Sequence, residues 1–249
     1  MSYGLNFLAN YAWSKSLDTG TGNGHGSGID EYQNAYSPAA NYGLSDFNSA
    51  NFLSGQITWE LPFGSGRHFA THGVGDEVLG GWRVSSLFQW HSGVPFTPVI
   101  GSSSTKLSID PGLASAGTAL FPNEVCNPTV SNPTVNEWFN PTCFVDPSHA
   151  TFGDTGRNSL IGPNFSDVDF SVSKDFPLHL REGMRLQIRA DMTNVFNHPS
   201  FANPNADVSR CTAAQGGCTV GALESGNVGT ITGVVSGPRV IQLGAHFFF

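Results

Sequence analysis

The sequence predicts an all-β chain, an antiparallel transmembrane β-barrel segment of about six long strands with short periplasmic turns and long extracellular loops. Three observations carry this prediction: six stretches alternate apolar and polar residues at period two, long and short connections alternate between them, and the last nine residues are apolar on one side only. A strand sends successive side chains to opposite faces, so period-two alternation means one greasy and one wet face.

The first stretch, about 3–15, puts Tyr3, Leu5, Phe7, Ala9, Tyr11 and Trp13 opposite Asn6, Asn10 and Ser14. The second, about 50–63, sets Leu53, Ile57, Trp59 and Leu61 against Ser54, Gln56, Thr58 and Glu60. In the third, about 81–97, Trp82, Val84, Phe88 and Trp90 oppose Arg83, Ser85, Gln89 and His91. The fourth, 165–177, sets Val168, Phe170, Val172 and Phe176 against Asp167, Asp169, Ser171 and Ser173. The fifth, 184–197, sets Leu186, Ile188, Ala190 and Met192 against Arg185, Gln187, Arg189 and Asp191. The sixth, 238–249, aligns Ile241, Leu243, Ala245, Phe247 and Phe249 opposite Gln242, Gly244 and His246.

Between these stretches, 177–183 is short and 64–80 moderate, whereas about 17–49, 98–164 and 198–238 are long. A barrel with periplasmic turns and external loops has this asymmetry. A compact soluble domain seldom carries three structureless connections of such length, and their Gly, Pro, Ser and Asn content argues against further strands inside them. Tyr11, Trp13, Trp59, Phe63, Trp82 and Trp90 fall near strand ends, where aromatic belts meet the membrane interfaces. Six strands are too few to close a barrel, and an open sheet would leave two unpaired edges in hydrocarbon. Residues 1–249 therefore read as the C-terminal part of a larger barrel.

Composition agrees. Only 12% of residues are charged, few for a soluble surface, while 30 Gly and 15 Pro suit strands and turns. No run approaches the roughly 18 apolar residues of a spanning helix. With 11 basic and 19 acidic residues, a nucleic-acid surface is disfavoured. The N-terminus has no basic start, apolar core and cleavage site of a signal peptide, so export is expected to depend on sequence outside this chain. The cysteines Cys126, Cys143, Cys211 and Cys218 suggest two local disulfides, 126–143 and 211–218, although four cysteines permit three pairings.

Short motifs with catalytic overtones do not carry chemistry. Ser103-Ser-Thr-Lys106 fits S-x-x-K but sits in a Gly/Ser loop without its partner motifs. The glycine-rich run 20–28 lacks the strand-to-helix context and the Lys-Ser/Thr of a phosphate loop. His68 and His72 have helical ligand spacing, but in a turn with no third ligand. Asp167 and Asp169 share a face, where solvation or a cross-strand pair with Arg185 or Arg189 is expected. Asn127-Pro-Thr, Asn132-Pro-Thr and Asn140-Pro-Thr read as successive turns. The chain is thus expected to be non-enzymatic, without metal or cofactor.

The ordered stretches Gly43-Leu-Ser-Asp-Phe47, Glu60-Leu-Pro-Phe-Gly-Ser-Gly-Arg67, Gly80-Gly-Trp82, Ser92-Gly-Val-Pro-Phe96 and Trp138-Phe-Asn-Pro141 carry a family likeness. So do Gly156-Arg-Asn-Ser-Leu-Ile-Gly-Pro163, Asp169-Phe-Ser-Val-Ser-Lys-Asp-Phe176, Arg189-Ala-Asp-Met-Thr-Asn-Val-Phe-Asn-His-Pro199 and Gly237-Pro-Arg-Val-Ile-Gln-Leu243. Together they resemble the C-terminal barrel of Oar-like TonB-dependent receptors. One departure is Asn48-Ser-Ala-Asn51, where such proteins often carry a basic pair.

The resemblance implies a bacterial outer-membrane transporter for a bulky nutrient, with the plug and the remaining barrel supplied by sequence not present here and TonB reached only through that plug. It implies that Ile241, Leu243, Phe247 and Phe249 address the chain to the barrel-assembly machinery. Outer-membrane lipid would be the other partner. Lumen-lining candidates are Arg83, Gln89, His91, Asp167, Asp169, Arg185, Arg189 and Asp191, and loops 98–164 and 198–238 would meet the ligand. The competing expectations are a surface barrel for adhesion or envelope integrity, and a soluble disulfide-closed β-sandwich binding module.

Overall fold

Six strands pair in sequence order as one antiparallel meander in the computed structural model, which describes residues 4–20, 34, 36–69, 72–100, 120–145, 147, 151–178, 183–208 and 228–249. In chain order the strands are β1 (Leu5–Trp13), β2 (Leu17–Asp18), β3 (Gly43–Leu44), β4 (Asn51–Glu60), β5 (Trp82–His91), β6 (Pro95–Phe96) and β7 (Asn123–Glu124). They continue as β8 (Thr129–Thr134), β9 (Glu137–Phe139), β10 (Phe144–Val145), β11 (Leu160–Ile161), β12 (Phe165–Pro177), β13 (Arg185–Thr193) and β14 (Val240–Phe248). The meander is β1-β4-β5-β12-β13-β14. Its strands have 9 to 13 residues, the length that crosses a bilayer when tilted. The sheet is open: among the described residues β1 pairs only with β4, and β14 only with β13.

Residues paired across antiparallel strands project to one face, so the register traces each face through the wall. Phe7, Ile57, Ser86, Phe170, Met192 and Ile241 form one continuous row. Leu5, Trp59, Val84, Val172, Ala190 and Leu243 form a second on the same side. A row on the opposite face, Asn6, Thr58, Ser85, Ser171, Asp191 and Gln242, is polar throughout. Each local alternation joins its neighbours in phase. A one-residue slip anywhere would have inverted the next strand.

The apolar face is uncovered. Phe7 is 74% and Leu243 76% exposed, and Trp13, Ile57, Ile188 and Ile241 are exposed as well. Each such side chain gains roughly 1.5–3 kcal/mol on leaving water, so the face needs an apolar medium. The buried hydrophobic residues Phe96, Ile100, Leu120, Phe121, Phe139, Cys143, Phe144, Val208 and Val228 all lie outside the six wall strands. A soluble sandwich would bury the greasy face of its sheet under a second layer; among the described residues no second layer covers this one.

On the apolar face Tyr11, Trp13 and Trp90 ring the rim of the long connections, and Trp59, Trp82, Phe176 and Phe247 ring the other. Trp82 and Trp90 are eight residues apart on β5, about 26 Å along a strand and about 20 Å along the membrane normal at a tilt near 40°. That approaches the apolar band of about 25 Å that such barrels present.

The long connections depart from expectation, because their described parts are folded. Eight short strands lie in them, pairing as β2·β3, β6·β11, β7·β10 and β8·β9. Phe96, Ile100, Phe139 and Phe144 from one connection pack with Val208 and Val228 from the next into a single core. Short pairs supported by tertiary packing need no long alternating run, which is why composition concealed them. Likewise the third wall strand ends at His91 rather than near 97, since β6 turns away to meet β11. The fifth ends at Thr193 rather than near 197, where Asn194 and Asn197 take positive φ. A short helix, α1 (Val74–Leu79), occupies the connection between β4 and β5, where none was expected.

Candidate functional site

The polar face of the wall is one candidate surface. A concavity of about 240 Å³ opens there between Asn10, Gln56, Gln89, Asp167 and Asp169, with Leu8 and Leu87 beside Gln56. Of the predicted lining residues, Arg83, Gln89, His91, Asp167, Asp169, Arg185, Arg189 and Asp191 all fall on this face by register. Of the two arrangements expected of the aspartates, solvation or a cross-strand arginine pair, the pair is not formed. Asp167 accepts a bond from the Val168 amide at 3.0 Å and stands opposite Gln89. Asp169 accepts from the Asn194 amide at 3.1 Å, fastening the β13 exit. Arg189 instead donates to Asp191 on its own strand at 2.7 Å, and Ser171 donates to the same carboxylate at 2.7 Å. Arg185 lies 4.4 Å over the Phe248 ring.

Two features of this face escaped the sequence reading. Phe52, His91 and Phe165 occupy one cross-strand row, with His91 stacked 4.9 Å from Phe165 and 6.4 Å from Phe52, each at 9°. Alternation had concealed them, because both phenylalanines sit on the nominally polar side near the long-connection rim. At the other rim Glu60 accepts from Arg67 at 2.5 Å and Arg83 at 2.8 Å. The charge that breaks the pattern on the opposite side is Lys174, in register with Trp82 on the apolar face.

Above the wall, the folded connections are joined by a buried clamp. Arg157 is 1% exposed at its side chain and donates from Nε to the Asn41 carbonyl at 3.0 Å and from Nη1 to Asp46 at 3.1 Å. Its other terminal nitrogen meets the carbonyl and carboxylate of Asp18. Burial lowers the pKa of this guanidinium, which stays protonated all the same. Asn158, at φ 54°, donates to the Leu44 carbonyl at 2.7 Å and to Asp46 at 2.5 Å, and its amide donates to Thr97 Oγ1 at 2.8 Å. Gly156-Arg-Asn thus fastens connection 14–50 to connection 92–164. The motif was visible in the sequence, but its partners lie more than a hundred residues away.

A disulfide joins Cys126 to Cys143 within the same cap; Cys211 and Cys218 lie outside the described residues, as do Ser103 and Lys106. Asn127 and Asn140 each cap a turn by accepting from the amide two residues on, at 3.0 and 3.1 Å. Asn132 lies within β8, so the third repeat is strand rather than turn. Among the described residues no group of three or more His, Cys, Asp or Glu side chains could hold a metal ion.

A six-stranded meander, in-phase greasy rows and a cap at one rim are the parts of a membrane-barrel wall. Residues 1–242 match the family described as outer membrane beta barrel domain. The chain belongs to that family. As an outer membrane beta barrel domain it resides in the bacterial outer membrane. No curated protein and no solved structure matches it.

In outer membrane barrels generally, the apolar side of the wall meets acyl chains and the polar side faces the lumen. Ile241, Leu243 and Phe247 belong to the greasy side of β14, whose far edge has no partner among the described residues, and Phe249 follows the end of that strand.

Proposed function

We propose that this outer membrane beta barrel domain is the C-terminal wall of a TonB-dependent receptor of the Oar-like kind, taking up a bulky nutrient such as a siderophore, glycan or peptide. The observation that supports it best is the cap. Three long connections fold together at one rim, clamped by Arg157 and closed by the Cys126–Cys143 disulfide, as a surface selecting a large solute requires. In this reading the cap faces outward, the short turns face the periplasm, and further strands and the plug come from other sequence. The open edges of β1 and β14 favour such completion, since each unpaired backbone group in hydrocarbon costs several kcal/mol. The barrel-assembly machinery would pair along β14 and read Ile241, Leu243, Phe247 and Phe249.

The test compares a deletion strain with its parent for energised import of ferric siderophores, oligosaccharides and peptides. Heat-modifiable gel mobility of the full-length product serves as the check that a barrel is present. Loss of import of one class, abolished equally by a protonophore, is the expected result. Unchanged import of all three in the deletion strain, with the heat-modifiable barrel present in the parent, overturns the uptake reading in favour of adhesion or envelope integrity.

A further inference from the structure

The connection between β4 and β5 carries a short helix beside the lipid-facing rim of the wall. Helix α1 spans Val74–Leu79 with the sequence VGDEVL. At 100° per residue Val74, Val78 and Leu79 fall on one arc and Asp76 and Glu77 on the other. On the polar arc Asp76 is tied to the turn, accepting from the Ser65 amide at 2.7 Å and from its hydroxyl at 2.5 Å, while Glu77 is exposed. The apolar arc is uncovered, with Val74 76%, Val78 57% and Leu79 46% exposed.

Two side chains from the lipid-facing side of the wall hold this helix. Trp82 Nε1 donates to the Val78 carbonyl at 3.0 Å, and Lys174 Nζ donates to the Gly80 carbonyl at 2.5 Å. The Lys174 ammonium also lies 5.4 Å from the Trp82 ring centroid and 4.8 Å from that of Phe176. The end of the helix is closely packed as well. A Cβ added to Gly64, itself at φ +104°, would come 2.7 Å from the Gly80 Cα. The apolar arc is therefore continuous with the aromatic ring of this rim, and that ring is part of the surface that meets lipid.

We propose that α1 lies in the membrane interface as an amphipathic anchor, seating Val74, Val78 and Leu79 at the boundary between head groups and acyl chains and setting the depth of the wall at that rim. An interfacial helix buries its apolar side about 5–10 Å into that boundary. Lys174 explains itself in the same frame. A charge on the greasy face is tolerated where it can reach the interface, and here it does so by binding the backbone of the anchor.

The experiment uses the full-length protein in proteoliposomes, with an environment-sensitive fluorophore at Val78→Cys, at Glu77→Cys on the opposite arc and at Ile188→Cys in the wall. Unlabelled native protein controls for reaction of the natural cysteines. Expected is quenching of the Val78 label by lipids spin-labelled near the head group, at a depth of about 5–10 Å, with aqueous iodide quenching it far less than the Glu77 label. The Val74→Ser/Leu79→Ser background should shift the Val78 label toward iodide. Equal iodide quenching at positions 78 and 77 while Ile188 stays lipid-quenched overturns the anchor and leaves the wall standing. Shielding of Val78 from both iodide and spin-labelled lipid overturns it in favour of a protein partner. Loss of lipid quenching at Ile188 would instead indict the assignment of the sheet's lipid face.

Discussion

Replacing Arg157 with methionine removes the guanidinium but keeps an unbranched chain of similar length in a site that is almost fully buried. Four hydrogen bonds disappear: those to the Asn41 and Asp18 carbonyls and to the Asp46 and Asp18 carboxylates. Asp46 stays buried with Asn158 Nδ2 still donating to it, whereas Asp18 is open enough to rehydrate. Breaking a buried pair by deleting one partner costs about 3–5 kcal/mol, and partial rehydration favours the lower end, about 3 kcal/mol. At tenfold per roughly 1.4 kcal/mol, local opening should rise about 100-fold. Hydrogen exchange of the full-length protein in lipid nanodiscs reads this directly. Peptides covering 41–48 and 155–160 should exchange faster by that factor, and a peptide covering 185–193 in β13 should not change. Arg157→Lys should fall between, since an ammonium cannot reproduce the fork. Acceleration below about fivefold, the effect of an exposed pair worth under about 1 kcal/mol, would refute the clamp.

Three further outcomes are expected. Leu243→Arg on the greasy face should cost about 2–4 kcal/mol and deplete the protein from the outer membrane, while Gln242→Arg next to it should be tolerated; equal depletion in immunoblots would contradict the face assignment. Cys143→Ser opens a disulfide spanning 17 residues, worth about 3 kcal/mol in the chain-entropy account, and should expose 126–145 to limited proteolysis; an unchanged digestion pattern would refute its structural role. The Ser65 hydroxyl and then its amide hold the Asp76 carboxyl below the ordinary aspartate range. A depressed folded-state pKa stabilises above the unfolded value and is lost as pH falls through the folded one, so the turn should loosen only in acid. Ser65→Ala should raise the Asp76 pKa in a carboxyl-carbon NMR titration, and no movement would deny the hydroxyl's part.

The phase of every wall strand was legible because alternation is a local property. Ile57 and Thr58 choose opposite sides of β4 whatever lies beside them, and the neighbours then align side with side. Exceptions were hard to read for a matching reason. Lys174, Phe52 and Phe165 violate the alternation, and each is explained only by a contact elsewhere: the Gly80 carbonyl and two rings for Lys174, and the His91 ring for the phenylalanines. Of the two expectations for Asp167 and Asp169, solvation or an arginine pair, the pair does not form because register, invisible in sequence, sets Asp167 against Gln89 and Ser173 against Arg189.

By itself the sequence determined the strand-forming stretches, their greasy and wet sides, and the inequality of the connections, since all three follow from residue order alone. Only the tertiary structure decided that the long connections form a shared core, that Arg157 ties residues 18, 41 and 46 together, and that α1 rests against the lipid-facing rim. Those arrangements depend on pairs far apart in the chain. Their stability comes from burial and closed hydrogen bonds that exist only once the ends of six strands have been brought to a common rim.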